Sequence, residues 1–349
     1  MFPIKNIRLF VLCLWCAGLS CTQKPSPDKE IQRAFYYWKS VLHITPEVFD
    51  MLDSMRVQTL YVRYFDVGWD PARQQPVPLA PIRPGKYERP FKPRQSIIPT
   101  VFITNETMLR ITDAQIPTLA ADILQLIAST HTILGVNPSP QVQMDCDWNA
   151  SSKDRYFSLL RQLQALDSTH VYSATIRLHQ LKYAQTTGVP PVSRGLLMCY
   201  NMGNIKDPAT SNSILDPKEV KRYTNGFSTY ALPLDVAFPL FGWTVLFRNQ
   251  QYAGLIQLTD RKAIEGVSFS LGNNRFRVLK DTTLFGYTLL KDDLLRVEDS
   301  AVPDILHAAT LLRDKLTGDS FTVSLYHLDT LILNKYTTHE LEAVYNSLR

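Results

Sequence analysis

Short apolar runs rich in β-branched and aromatic residues recur along the chain, a pattern typical of buried strands. The eight runs are Ala34 to Ser40, Thr59 to Asp66, Ile97 to Thr104, Gln141 to Asp147, Val171 to Leu178, Gly195 to Asn201, Asp235 to Phe241 and Thr322 to His327. Stretches with helical periodicity separate several of them, for example Ser151 to Leu166. A last helix is predicted after Thr337, where Glu340 completes a capping box.

Strands that alternate with helices imply a parallel sheet. Eight strands are the number that a closed (β/α)₈ barrel needs. The predicted fold class is therefore α/β, in the form of a (β/α)₈ TIM barrel. An open, doubly wound sheet is the alternative.

Two segments interrupt the alternation of strands and helices. Asp70 to Gln95 carries seven prolines, more than a helix tolerates, and predicts a long loop on the C-terminal face, where barrel enzymes keep their sites. Gln251 to Asp299 alternates apolar and polar residues around a turn at Gly272-Asn273-Asn274. It predicts a small β-rich insertion, residues 251–299, between the seventh and eighth strands.

The N-terminus has the composition of an export signal. Lys5 and Arg8 supply its positive region, and the apolar run Leu9 to Leu19 is too short to span a bilayer, so cleavage is expected. A small residue before Cys21 indicates a lipobox, with lipidated Cys21 as the first mature residue. We therefore expect a signal peptide at 1–20, a polar tether at 21–32 and a barrel domain at 33–349. A signal peptide without a lipid anchor is the alternative.

Cysteines and charge add few constraints. Two of the five cysteines leave with the signal and Cys21 would carry lipid, which leaves Cys146 and Cys199 as small core residues on different strands. The formal charge of +5 includes two cations of the signal peptide. The mature chain is therefore only weakly basic, and no nucleic acid partner is expected.

The fourth predicted strand carries two carboxylates at alternate positions. Because side chains alternate across a strand, Asp145, Asp147 and Asn149 share one face and Trp148 lies on the other. Neighbouring carboxylates repel each other and are normally kept where solvent, a cation or a reaction uses them. The alternative is a structural pair of aspartates bonded to the backbone or to an arginine.

This strand resembles the signature of the family 18 glycoside hydrolases, the chitinases and endo-N-acetylglucosaminidases. The signature is Asp-x-x-Asp-x-Asp-x-Glu on the fourth strand of a TIM barrel, often with Trp before the Glu. Asp145, Asp147 and Trp148 match it, whereas Val142 replaces the first Asp and Asn149 replaces the catalytic Glu. The resemblance implies that Asp147 orients the N-acetyl group of the substrate and that the proton donor is missing.

The sixth strand reads Met198-Cys199-Tyr200-Asn201, which is similar to the Met-x-Tyr-Asp of the same family. There the Tyr helps to hold the acetamide and the Asp contacts sugar, so Asn201 is a second change from an acid to an amide. Such a change keeps hydrogen bonding but removes proton transfer. The candidate catalytic residues are Asp145, Asp147 and Tyr200.

Further residues are expected at the same mouth. Arg177 on the inward face of the fifth strand would neutralise Asp145 or Asp147 and lower its pKa. Four tryptophans, Trp38, Trp69, Trp148 and Trp243, lie near strand ends, where aromatic faces stack on sugar rings. The predicted ligand-binding residues are Asn149, Asn201, Trp148, Trp243, Asp66 and Arg177. Other strand-end groups near this mouth are Tyr64, Asn105, Glu106 and Asp235.

No cluster of His, Cys and carboxylates has metal-ligand spacing, and no glycine-rich phosphate loop or Gly-x-Ser-x-Gly elbow is present. Neither a metal nor a cofactor is therefore expected. Losing a general acid typically slows a reaction ~10²- to 10⁴-fold, so hydrolysis should be very weak.

The sequence thus predicts a lipoprotein of the bacterial cell envelope, with the outer membrane as the first candidate and a lipid anchor as its contact with the membrane. Its barrel would bind a saccharide, with oligosaccharides containing N-acetylglucosamine as the first candidates. The chain also resembles barrel lipoproteins common in gut Bacteroidetes. Two alternatives stay open: an active hydrolase that uses Asp147, Glu106 or Asp66 as its acid, and a surface scaffold for a protein partner.

Overall fold

Eight parallel strands close into a barrel in the computed structural model, which describes residues 29–86, 93–137, 139–224, 227, 230–257, 260–316 and 318–349. The strands are, in chain order, Glu30–Tyr37, Thr59–Asp70, Ser96–Ile103, Gln141–Cys146, Val171–Arg177, Arg194–Met198, Leu234–Pro239 and Ser320–Tyr326. The first strand pairs with both the second and the eighth. The predicted TIM barrel is therefore confirmed, because an open sheet would not close this ring.

Helices cover the outside of the barrel. Their bounds are Pro46–Ser54, Asn105–Arg110, Ile116–Leu134, Lys153–Leu166, Leu178–Lys182, Ala184–Thr187, Pro217–Tyr223, Val302–Arg313, Thr330–Leu333 and Thr338–Asn346, with a 3₁₀ turn at Asp113–Gln115. Leu159, Leu160 and Leu163 are fully buried on the helix that follows the fourth strand. Burial of each such leucine contributes roughly 1.5–3 kcal/mol. Thr337 and Glu340 form the predicted capping box.

The second strand is longer than predicted and continues into a hairpin. Its far end pairs antiparallel with Gln75–Leu79, which belongs to the segment predicted as a loop. Pro76 and Pro78 are compatible with this strand because it lies at the edge of the sheet, where a missing N–H leaves no ladder bond unmade. Val41–Leu42 pairs with Arg83–Pro84 nearby, and residues 87–92 of the predicted loop lie outside the described residues.

A second sheet lies between the seventh and eighth barrel strands in the chain. It has five antiparallel strands in the order Gln251–Ile256, Trp243–Arg248, Leu294–Glu298, Arg275–Val278 and Ser268–Gly272. Helix Arg261–Glu265 and a hairpin of Thr282–Leu284 with Tyr287–Leu289 complete it. The unit starts at Trp243, earlier than the predicted residue 251, and encloses a small core of its own that includes Leu246, Phe276 and Leu295.

The N-terminal predictions lie mostly outside the described residues, since these begin at residue 29. The first strand begins at Glu30, so residues 30–32 belong to the barrel and not to the predicted tether. Among the helices in the described part of the chain, none is long and apolar enough to cross a membrane. Cys146 and Cys199 are free and buried.

Candidate functional site

Asp145 lies near the C-terminal end of the fourth barrel strand and is only 3% exposed. Its Oδ1 accepts a hydrogen bond from Thr175 Oγ1 at 2.6 Å. Burial, together with the negative charge of Asp147, raises the pKa of Asp145 to about 6. The positive charge of Arg177 and the hydrogen bond from Thr175 lower it, but by less. Arg177 lowers this pKa as expected, but the net shift is upward because the loss of solvent outweighs the nearby cation.

Asp147, two residues further on, is held by Arg177 of the fifth strand. Arg177 Nε donates to Asp147 Oδ1, and its Nη2 donates to Oδ2 at 3.0 Å. Pairing of Met144 with Ala174 sets the register that places these two side chains next to each other. Because both carboxylate oxygens are engaged, Asp147 has a fixed orientation and a neutralised charge. Its side chain is 45% exposed, so the ion pair stands at the surface of the mouth.

Tyr200 follows the sixth strand and is 2% exposed. Among the described residues its hydroxyl has no hydrogen-bond partner, although it is buried. Burial raises the pKa of Tyr200 well above its usual value, and the charges of Arg177, Asp145 and Asp147 also act on it. Tyr200 therefore shares the space of the two aspartates, as the strand parity predicts.

Aromatic rings continue from Tyr200 along the C-terminal ends of the strands. Tyr200 packs against Tyr326 at 5.1 Å between ring centroids, and Tyr326 packs against Trp38 at 5.8 Å. In the other direction Phe241 meets Tyr200 edge-on at 5.9 Å, and Trp243 lies 5.2 Å from Phe241. We call these five residues the aromatic arc. All except Tyr200 are partly exposed, so part of the arc is in contact with solvent.

Asn149 lies on the rim, in the turn that precedes the next helix. Its Oδ1 accepts from the backbone N–H of Ser151 at 2.9 Å, and its carbonyl accepts from Lys153 N. Ser152, next to it, donates from its hydroxyl to Asn105 Oδ1 at 2.6 Å. The side chain of Asn149 thus forms the turn into helix Lys153–Leu166, a role for which Asn is well suited.

Asn201 also has a backbone role. It has φ 54°, in the left-handed region, and its N–H donates to Ile214 O at 2.8 Å. Asn adopts this region more readily than most residues, and here it turns the chain away from the sixth strand. Its side chain is exposed on the rim.

Trp148 does not reach the mouth. It is fully buried, stacks on Tyr156 at 5.2 Å and donates from Nε1 to Thr187 O at 2.9 Å. The alternation that points Asp147 inward points Trp148 outward, against the covering helices. A role for Trp148 in contacting a ligand is therefore excluded by its position. Trp69 lies in the hairpin extension of the second strand, apart from the aromatic arc.

Asp66 accepts two hydrogen bonds from Arg63, from Nε at 2.7 Å and from Nη2. Strict alternation would place these two residues on opposite faces. A register shift between Arg63 and Phe65 changes the parity, so that both face the mouth while Tyr64 packs edge-on against His131 outside. Sequence reasoning missed Arg63 and misplaced Tyr64 because alternation gives no signal for a bulge.

Two other predicted strand-end groups lie elsewhere. Glu106 is exposed on helix Asn105–Arg110 and accepts from Arg110 Nε at 2.9 Å. Asp235 lies near the start of the seventh strand, at the N-terminal end of the barrel, so its expected place at the mouth is wrong. Its position follows from the strand beginning at Leu234, one residue before it.

A cavity of about 670 Å³ adjoins the mouth, beside the two aspartates and not over them. Trp38 and Arg63 line it together with Lys39, His43 and Asp329, which follow the first and eighth strands. Lys39 and Asp329 form an ion pair of 2.7 Å across it. Within the described residues, no group of three or more His, Cys, Asp or Glu side chains is placed to hold a metal ion.

The barrel is similar to solved structures of bacterial proteins. It matches the spore cortex-lytic enzyme SleL of Bacillus cereus with a TM-score of 0.53 at 13% identity, over 93% of this chain and 76% of SleL. For a chitinase of Chromobacterium violaceum the TM-score is 0.55 at 9% identity, over 91% and 99% of the two chains. A chitinase from Bacteroides thetaiotaomicron matches with a TM-score of 0.52 at 11% identity, over 90% of this chain and 96% of the chitinase.

No protein-family model matches the chain, and no curated protein matches it. At these identities the structural matches show a common fold. They confirm the resemblance at that level: the chain has a barrel like those of chitinases and SleL.

Proposed function

We propose that this chain is a saccharide-binding protein built on a glycoside-hydrolase-like barrel, with its ligand at the C-terminal mouth. The observation that carries the proposal is the bidentate ion pair of Asp147 with Arg177 beside the aromatic arc. An ion pair supplies fixed donors and acceptors for hydroxyl groups, and partly exposed ring faces stack on sugar rings. The chitinase structures with the same fold support a saccharide as the kind of ligand.

The carboxyl groups of the mouth support binding more than hydrolysis. Asp147 and Asp66 are each paired with an arginine, and Asn149 cannot donate a proton as an acid. Asp145 is the carboxyl whose pKa lies near neutrality, but it is buried beneath Asp147 and bonded to Thr175. Absence of a general acid removes roughly 3 to 5 kcal/mol of transition-state stabilisation, so any hydrolysis should be very slow.

Binding of chitooligosaccharides and of unacetylated glucose oligomers to the purified protein tests this function by calorimetry. We expect binding by the wild type and a loss of at least about tenfold in Trp243→Ala, which removes a stacking face of the arc. Asp122→Ala, an exposed position on helix Ile116–Leu134, is the matched control and should leave binding unchanged. A glycan array without any wild-type binding would instead favour a scaffold for a protein partner.

We also propose that Cys21 carries a lipid that anchors the barrel at a membrane of the bacterial cell envelope, the outer membrane first. The support is the signal-like sequence before Cys21. Labelling with a radioactive fatty acid tests it: the wild type should incorporate label and Cys21→Ala should not. Equal labelling of the two proteins would contradict lipidation at this residue.

A further inference from the structure

The N-terminal end of the barrel contains a second cavity, opposite the mouth. It has a volume of about 270 Å³, and all eight barrel strands contribute residues to its lining. Since a water molecule takes up about 30 Å³ in the liquid, the space suits about nine waters or one small ligand. The cavity therefore lies on the barrel axis and is large enough for a molecule the size of a monosaccharide.

The lining is unusually polar for the interior of a barrel, where bulky branched residues normally dominate. Its polar members include Gln32, Gln143, Ser173, Arg194, Asp235 and Thr322. Gln143 is fully buried, and its Oε1 accepts from the hydroxyl of Tyr36. Its Nε2 has no hydrogen-bond partner among the described residues.

Ser173 is the neighbour of Gln143 on the fifth strand, in register with it. Its Oγ is likewise buried without a partner in the described part of the chain. Two unpartnered polar atoms thus stand side by side in the wall of one cavity. Buried polar groups are normally paired, so these two indicate that the cavity takes up water or a small molecule with donor and acceptor groups.

The charged groups of the opposite wall neutralise each other, so the lining favours a neutral molecule. Asp235 is 4% exposed, and its Oδ1 accepts from Arg194 Nη1 at 3.0 Å and from Thr322 N at 2.6 Å. The carboxylate and the guanidinium therefore compensate each other and leave no net charge for an ion. The remaining polar groups are amides and hydroxyls.

We propose that this axial cavity is a second binding site, for a small neutral polyhydroxylated molecule such as a monosaccharide or a polyol. Gln143 Nε2 donates a hydrogen bond to the ligand, and the Ser173 hydroxyl donates one to it or accepts one from it. The site is separate from the mouth, because the stacked rings of Tyr36 and Tyr61, at 5.0 Å, and the side chain of Gln143 lie between them. The proposal of this second site does not depend on what the mouth binds.

Titration of the isotope-labelled protein with N-acetylglucosamine, glucose and glycerol, each at millimolar concentrations, tests the site by NMR. The expected result is a shift of the backbone resonances around Gln143 and Ser173 with at least one probe. Ser173→Ala should weaken this binding about tenfold, the effect of one neutral hydrogen bond, and Gln143→Leu should do the same. Tyr200→Phe at the mouth is the matched control and should leave it unchanged.

Ser173→Ala removes a single atom, so it keeps the test open even if Gln143→Leu fails to fold. The proposal is overturned if none of the three probes shifts these resonances in the wild type, which would leave water as the occupant. It is also overturned if binding depends on Tyr200 and not on Ser173. That result would assign the probe to the mouth.

Discussion

At the residue scale, the charge of Arg177 acts on two carboxyl groups at once. It pairs with Asp147 directly and opposes the rise in the pKa of Asp145 that burial causes. Arg177→Met keeps much of the side-chain volume and removes the charge. We therefore expect the pKa of Asp145 to rise above about 6, measured by NMR titration of the aspartate carboxyl carbons.

Arg194→Met is the matched control for this change, since Arg194 pairs with Asp235 at the other end of the barrel. It should raise the pKa of Asp235 and leave that of Asp145 where it is. The ion pair at Asp147 is partly exposed, so Arg177→Met should cost about 1 kcal/mol or less in stability. An unchanged Asp145 titration in Arg177→Met would mean that the two groups are not electrostatically linked.

Asn149 allows a direct test of whether a missing acid explains the expected lack of hydrolysis. Asn149→Glu adds a carboxyl, but it removes the bond to Ser151 N and leaves Asp147 held by Arg177. We expect no cleavage of a chromogenic N-acetylglucosaminide by this variant, and a loss of about 0.5–1.5 kcal/mol in stability from the lost hydrogen bond to Ser151 N.

The double variant Asn149→Glu with Arg177→Met releases Asp147 and is the informative partner in that assay. If the double variant cleaves the substrate and Asn149→Glu does not, the ion pair of Asp147 with Arg177 is what prevents hydrolysis. If the single variant Asn149→Glu already cleaves the substrate, Arg177 does not prevent Asp147 from taking part in hydrolysis.

At the scale of elements, the connection from the fourth strand to helix Lys153–Leu166 depends on Trp148. Its ring is buried against Tyr156, and its indole N–H is bonded to Thr187 O. Trp148→Ala should lower the free energy of unfolding by about 3–5 kcal/mol, measured by urea denaturation. The folded fraction should bind saccharide as the wild type does, whereas Trp243→Ala should lose affinity with a smaller loss of stability. Equal losses of affinity would place Trp148 in the ligand site after all.

The same elements show what the sequence can and cannot predict. Parallel strands buried on both faces give clear apolar runs, so all eight barrel strands and the inward direction of Asp145 and Asp147 could be predicted. Alternation fails at the shift between Arg63 and Phe65, where a bulge reverses the parity without a sequence signal. The match of Trp148 to the family signature placed this residue among the ligand-binding residues, but its side chain is fully buried. A sequence motif does not specify which neighbouring residues surround a side chain.

At the scale of the whole molecule, two buried carboxyl groups link stability to pH. Burial raises the pKa of both Asp145 and Asp235 from 3.8 to about 6. The folded state therefore holds protons between about pH 4 and pH 6 that the unfolded state has lost. The stability due to these groups is complete below about pH 4 and is lost as the pH rises through 6, by up to roughly 3 kcal/mol each.

Asp235→Asn isolates one of these contributions. Other carboxyls, such as Asp329, have a lowered pKa and act in the opposite direction, so the difference between variant and wild type is the quantity to measure. The stability of Asp235→Asn relative to wild type should increase as the pH rises from 4 to 7. Asp122→Asn controls for the removal of one carboxylate. A pH-independent difference for Asp235→Asn would contradict the raised pKa.

The barrel cannot close until its eighth strand has been synthesised. The first strand pairs on one side with Thr59–Val62 and on the other with Ser320–Leu325, which lie almost at the opposite end of the chain. A polypeptide grows by about 5–20 residues per second, so this second partner is made roughly 15–60 s after the first strand. Until then the first strand presents an unpaired edge, to which strands of other chains can add. A newly made chain is therefore most exposed to aggregation until residues 320–325 have been made, and slowing translation before them should increase its need for chaperones.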